Sequence, residues 1–167
     1  GAMPPTQPVH ELSWSSFSTN WETDVKASFL FCRAALRRPL APGAKIILIS
    51  SGGAIGGSPI SGGYAGAKRM QMFLAGYGQK ESDRLGLGLR FIALAPARIM
   101  PETDIGKAGV AGYSRYLGMP AADFIAGMSD PQTPSDVADA VIAFADETHH
   151  PEGHAFVVRG SGVAAAA

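Results

Sequence analysis

The 167-residue sequence predicts one α/β domain, a parallel sheet of about three strands flanked by helices. Two observations carry that class. The runs Lys45 to Ser50 and Leu89 to Ala95 hold consecutive apolar residues without alternation, the pattern of strands covered on both faces. Helical patterns precede, separate and follow these runs, an order that belongs to right-handed parallel crossovers. There is no internal repeat and no linker long enough to divide the chain. Residues 1–13 read as an arm whose Gly1 and Ala2 resemble a tag-removal scar outside the fold, residues 14–163 as the domain, and residues 164–167 as a small-residue tail.

Each element has its own signal. Trp14, Phe17, Trp21, Val25, Phe29, Cys32 and Leu36 recur at steps of three and four, which predicts an amphipathic helix ending near Pro39 and Pro42. The strand at Lys45 to Ser50 runs into a loop over Gly52 to Ser61. Tyr64 to Arg84 follows as one long helix, whose Ala65, Gly66, Ala67, Ala75 and Gly76 permit close packing. Gly86 and Gly88 end it, and Pro96 closes the strand that follows into a loop reaching about Gly106. Ala108 to Met128 predicts two short helices broken at Gly118 and Pro120, a lid-like segment carrying Tyr113 and Tyr116. Thr133, Pro134 and Asp136 make a helix start, and that helix runs to about Glu147. Ala155 to Val158 is the last strand.

Composition excludes several classes. Basic and acidic side chains number 14 each, so net charge is zero and there is no electrostatic footprint for nucleic acid or an anionic membrane. With neither a membrane-length apolar run nor a signal-peptide pattern, the expectation is a cytoplasmic protein. The single cysteine, Cys32, lies in a helical apolar pattern and reads as a packing group.

Ligands of parallel α/β sheets gather at the carboxyl ends of strands, here Ser50 and Ser51 at one end, Pro96 and Ala97 at another. Tyr64 and Lys68, four apart on a helix, share a face. A nearby ammonium favours phenolate, so Lys68 is expected to lower the pKa of Tyr64 toward the range of a general acid or base, with Ser51 donating to a carbonyl oxygen beside it. A Tyr and a Lys four apart are also common on solvated helix faces.

The segment "ISSGGAIGGSPISGGYAGAK" resembles the active-site segment of the short-chain dehydrogenases/reductases, which places a Ser thirteen residues before a Tyr-x-x-x-Lys motif. Ser51, Tyr64 and Lys68 have that spacing. The resemblance extends through "DVKASFLFCRAAL", "RFIALAPARI" and "DVADAVIAFADE...EGHAFVVRGSG". It implies a partial Rossmann-like fold, the family's carboxyl-terminal catalytic half, and NAD or NADP as cofactor. It further implies proton exchange by Tyr64, tuning and cofactor contact by Lys68, carbonyl positioning by Ser51, and cofactor contacts from Pro96, Ala97 and Ile99.

Three departures stand out. Asp24 occupies the position of a family Asn and brings a charge to any proton relay through Lys68. Pro96-Ala97 replaces a Pro-Gly, and Pro101 replaces a Thr, with Thr103 nearby. The family's amino-terminal half is absent, and neither G-x-G-x-x-G nor T-G-x-x-x-G-x-G occurs; the spacing of Gly52, Gly53, Gly56 and Gly57 does not make a phosphate loop. No Walker motif or G-x-S-x-G elbow supports another assignment.

Two functional classes follow: an NAD(P)-dependent carbonyl or alcohol oxidoreductase whose cofactor cradle is supplied elsewhere, or a cofactor-free relative that binds a ligand or partner or performs acid/base chemistry. The resemblance implies that the strand at Lys45 to Ser50 has lost the neighbour it would pair with in a full family member, so an exposed edge and apolar face are expected to be covered by another chain, as a homodimer or hetero-assembly. The family's dimer helices correspond to Trp14 to Leu36 and Tyr64 to Arg84. Tyr113, Tyr116, Leu117, Phe124 and Met128 suggest an apolar carbonyl substrate, or equally a packed core. His149, His150, His154 and Glu152 lack helical ligand spacing and read as a solvated turn rather than a metal site. Glu102 and Asp104 read as caps of the helix after them.

Overall fold

The structure, a computed structural model, describes residues 1–38, 40–146 and 152–166. A one-turn 3₁₀ segment, Val9–Glu11, leads into α1 (Trp14–Asn20), which Ser13 caps by accepting a hydrogen bond from the Ser16 amide. The backbone then makes a π turn over Trp21–Val25 and continues as α2 (Lys26–Arg37), so the expected helix forms with a π insertion in its middle. β1 (Lys45–Ile49), α3 (Gly53–Gly56), α4 (Tyr64–Leu85) and β2 (Arg90–Pro96) follow. After them come α5 (Asp104–Leu117), α6 (Ala121–Ala126), α7 (Pro134–Ala145), β3 (Ala155–Arg159) and β4 (Gly162–Ala165).

The sheet has the order β1-β2-β3-β4, with the first two pairings parallel and the last antiparallel. β4 is an addition to the expected three strands: Gly162, at φ 128°, lets the chain reverse and pair Val158 with Val163 and Phe156 with Ala165. Residues 164 and 165, read as tail, therefore belong to the sheet. Gly1 and Ala2, read as lying outside the fold, also make contacts: the Ala2 amide donates to Asp24 Oδ1 at 3.1 Å and its carbonyl accepts from Asn20 Nδ2 at 2.8 Å.

The core lies on both faces of β2, where Phe91, Ile92, Ala93, Leu94 and Ala95 are all buried. On one face Phe91, Ala93 and Ala95 meet Met72, Leu74 and Ala75 of α4. On the other, Ile92 and Leu94 meet Phe144 and Ala140 of α7 with Phe156 of β3. Gly78 is small because a Cβ there would stand 2.5 Å from the Phe91 ring. β1 is less covered than its unbroken apolar run implies. It forms one edge of the sheet, only Leu48 is buried, and Ile49 is exposed.

The first helix also departs from its expected burial. Its buried positions are Asn20, Asp24, Ser28, Cys32 and Ala35, whereas Trp14, Trp21 and Phe29 of the apolar stripe are exposed. Close backbone approach to α4 explains the choice: a Cβ on Gly63 would stand 2.0 Å from the Phe17 carbonyl oxygen, leaving no room between the helices for large side chains. Burial pushes the Cys32 thiol up to about 11, consistent with packing rather than reactivity.

Caps set the remaining boundaries. Thr103 accepts from the Gly106 amide and starts α5 at Asp104, four residues before the expected Ala108; the cap is Thr103 itself, and Asp104 sits in the first turn. Thr133 and Asp136 form a reciprocal capping box on α7. Gly52 to Ser61, expected as loop, contains the single turn α3. α7 ends at Ala145, two residues short of the expected Glu147; Glu147, His149 and His150 lie outside the described residues, which contain no cluster able to hold a metal. Among them, no helix is long and apolar enough to cross a membrane.

Replacing Phe91 with Ala is expected to cost about 3–5 kcal/mol, because the side chain is fully enclosed and its neighbours hang from a sheet and a long helix that cannot collapse together. Urea unfolding of both proteins measures the loss.

Candidate active site

Backbone pairing continues past the end of β1. The Ser50 amide donates to Leu94 O at 2.7 Å and the Gly52 amide to Pro96 O at 2.6 Å, which carries Ser51 to the carboxyl end of β2. Gly52 is required by this approach, since a Cβ would stand 2.7 Å from Ala97 O. Ser50 Oγ donates to Lys68 O at 2.7 Å and ties the first turns of α4 to the same strand end. One site thus receives Ser51 from a loop and Tyr64 and Lys68 from one helix face.

These three residues line a cleft of about 680 Å³ that also includes Pro96, Ala97 and Ile99. Its opposite wall includes Ile60, Met100, Ile105, Tyr113, Phe124 and Met128. Tyr113 and Phe124 stack with ring centroids 5.2 Å apart and planes 8° from parallel, joining α5 to α6. The lid-like segment therefore forms a cleft wall. Tyr116 and Leu117, expected with it, are exposed and do not line it.

Ser51 Oγ accepts from the Gly53 amide at 3.1 Å, which leaves its hydroxyl hydrogen to be donated to the Tyr64 oxygen or to a ligand oxygen beside it. The pKa of Tyr64 is raised, not lowered as the Tyr-Lys spacing suggests. Burial is the main cause; a hydrogen bond with Ser51 opposes it, and the Asp24 carboxylate adds to it. The Lys68 ammonium lies 5.6 Å from the Tyr64 ring centroid, but the Asp24 carboxylate beside it offsets its field.

Asp24 lies below the cleft, outside its lining, in the π turn. Its side chain is 3 % exposed and its Oδ2 stands 3.7 Å from Lys68 Nζ. Asn20 Nδ2 donates to the same oxygen at 3.1 Å. Lys68 Nζ also donates to the Ile49 carbonyl at 3.1 Å, a group at the end of the edge strand. Burial lowers the Lys68 pKa, and the charge and hydrogen bonding of Asp24 hold part of that fall back.

Sequence reasoning missed Asn20 and Gln132. Gln132 is buried; its Oε1 accepts from the Arg98 amide at 3.1 Å and its Nε2 donates to Val158 O at 2.9 Å, fixing the loop after β2 against β3. No local pattern marks it. Asn20 had a signal, since Asn20, Asp24 and Ser28 repeat every four residues within an otherwise apolar helix.

The fold is a partial Rossmann-like α/β structure of the kind short-chain dehydrogenases/reductases have, with the cleft at the carboxyl ends of β1 and β2. Neither a protein-family model nor a curated protein matches the chain. Among solved structures, it is similar to sorbitol-6-phosphate 2-dehydrogenase SrlD from Erwinia amylovora, with 18% identity and a TM-score of 0.71, covering 87% of this chain and 59% of that one. It is similar to a short chain dehydrogenase from Mycobacterium avium at 22% identity and a TM-score of 0.71, covering 96% and 50%. A third likeness is to the angucycline C-6 ketoreductase LanV, which has NADP bound, at 24% identity and a TM-score of 0.64, covering 88% and 53%. These likenesses are of fold, and the chain spans between half and two thirds of each of these three structures.

Two titrations test the electrostatics. Asp24→Asn is expected to lower the Lys68 pKa further, because burial continues to disfavour the ammonium while its counter-charge is gone; NMR of methyl-labelled lysine reads the shift. Ser51→Ala is expected to raise the Tyr64 pKa, since the hydrogen bond that opposes burial is removed; ultraviolet titration of tyrosinate measures it.

Proposed function

We propose that this chain is the catalytic part of an NAD(P)-dependent short-chain dehydrogenase/reductase acting on an apolar carbonyl compound or the corresponding alcohol. The observation that carries this reading is the meeting of Ser51, Tyr64 and Lys68 on one cleft with the loop Pro96, Ala97 and Ile99. The nicotinamide end of a dinucleotide fits that arrangement; the given sequence contains no Gly-rich phosphate motif, so a phosphate cradle would come from another polypeptide or from a longer protein of which this chain is part. A bound nicotinamide would supply or accept the hydride.

The chain's own residues handle oxygen and proton. Ser51, its Oγ already accepting from the Gly53 amide, donates its hydroxyl hydrogen to the substrate oxygen. The raised pKa keeps Tyr64 a phenol at neutral pH, the form that gives a proton to an oxygen gaining negative charge as the carbonyl is reduced. Lys68, held by Asp24 and the Ile49 carbonyl, keeps a positive charge close to the phenolate left behind. The apolar side chains of Tyr113, Phe124 and Met128 that line the cleft favour a hydrophobic substrate.

The same reading includes a second copy or other partner. Phe29, Leu30 and Phe31 on α2 and Phe73 and Tyr77 on α4 are exposed, a concentration of large apolar side chains that association would cover. Sedimentation is expected to give a dimer or larger assembly; a stable monomer at micromolar concentration would refute association through these helices.

Calorimetric titration with NADH and with NADPH tests the cofactor. Saturable binding of either is the expected result, with self-assembly rebuilding the phosphate cradle; no binding of either would leave the cofactor-free alternative as the reading for this chain on its own. Where carbonyl reduction is measurable, Tyr64→Phe is expected to lower kcat by about 10²–10⁴-fold with little change in KM, the usual worth of a positioned proton donor. An unchanged kcat would remove Tyr64 from the chemistry.

A further inference from the structure

Hydride chemistry uses Lys68 only as a charge, yet its surroundings also suit an amine. The side chain is 12 % exposed and lines the cleft, and its nitrogen, which donates to the Ile49 carbonyl at 3.1 Å, is otherwise enclosed near Asp24. Burial lowers the pKa of the ammonium, Asp24 holding part of that fall back, which eases the loss of a proton that exposes the nitrogen lone pair. Tyr64, one helical turn away, retains its proton. A carboxylate, Asp24 Oδ2, stands 3.7 Å from the nitrogen and compensates any positive charge that persists there.

We propose that Lys68 is a nucleophile that condenses reversibly with an apolar aldehyde in the cleft, an activity needing no dinucleotide. After the ammonium gives up a proton, the Nζ lone pair adds to the carbonyl carbon, and the carbonyl π pair moves to oxygen, which takes a proton from the phenol of Tyr64. Nitrogen loses a second proton, returning Tyr64 to its phenol form. The phenol protonates the hydroxyl, the carbon–oxygen bond breaks, water leaves as nitrogen forms the double bond, and the proton the ammonium first released to solvent returns to the Tyr64 phenolate. The ammonium and aldehyde become an iminium and water, with no change in total charge and no external oxidant or reductant. The iminium keeps the positive charge beside Asp24, and the wall of Ile105, Tyr113 and Phe124 receives the apolar part of the aldehyde while limiting hydrolysis.

The test traps the double bond. The full chain, without nicotinamide cofactor, is incubated at neutral pH with 2-naphthaldehyde and cyanoborohydride, which delivers hydride to the iminium carbon and leaves a stable secondary amine. Peptide mapping by mass spectrometry then compares Lys68 with Lys26, Lys45, Lys80 and Lys107. The expected result is labelling of Lys68 at least about tenfold above each other lysine, because burial lowers its pKa, and loss of that preference in urea-unfolded protein. Tyr64→Phe is expected to slow labelling of Lys68 while leaving it the preferred lysine. Labelling spread over the exposed lysines with Lys68 at or below them, or a Lys68 preference that survives unfolding, would overturn the proposal. The wild-type map decides the question even if a Lys68→Arg control fails to fold. Because no dinucleotide is present, the result is independent of whether the chain reduces carbonyls.

Discussion

The contact between Lys68 and Asp24 is the constraint on which the site depends. Three elements meet at this ammonium: α4 supplies it, the π turn supplies the carboxylate at 3.7 Å, and the end of β1 supplies the Ile49 carbonyl at 3.1 Å. The pair is largely enclosed, and removing one partner of such a pair typically costs about 3–5 kcal/mol, since the other is left charged and unmatched. Asn20 shares the carboxylate, which spreads its hydrogen bonding along the helix. The π insertion has a corresponding role: it occupies Trp21–Val25, with Asp24 within it, in the middle of an otherwise regular helix.

Close packing beside this pair determines what the first helix can bury. Trp21 Nε1 donates to Gly63 O at 3.0 Å and its indole lies over Gly66, where a Cβ would stand 3.2 Å from the ring. Two glycines at the start of α4 thus let the helices approach. Small and polar groups fill the seam, among them Ser28 Oγ, which accepts from Gln71 Nε2 at 2.7 Å. The large apolar side chains are displaced outward. An amphipathic sequence pattern identifies a helix and its stripe, but the partner that covers the stripe need not lie within the same chain.

The same logic links the sheet edge to the cleft. β2, covered on both faces, holds the core, while β1 has one paired side and an exposed Ile49 at its end. Lys68 satisfies the terminal carbonyl of that edge, so its position reflects the strand end as well as the chemistry of the phenol. On the other flank, Gln132 fixes the Pro96 to Ile99 loop through Arg98 and Val158. The cleft is therefore held on both flanks of β2, at β1 and at β3, by side chains whose hydrogen bonds go to backbone.

The sequence by itself determined the order of elements, the two main strands, the capping of α7 and the placement of Ser51, Tyr64 and Lys68, because apolar period, caps and a four-residue helical spacing are local properties. The lid-like helices were legible too, through Gly118 and Pro120. Only the tertiary structure decided the direction of the Tyr64 shift, since burial and the Asp24 charge come from elements forty residues away in the chain. It also decided which face of the first helix is buried, that Gly162 turns the end of the chain into β4, and that Gln132 supports the cleft. Each depends on contacts between distant segments, and no local pattern encodes the distance between them.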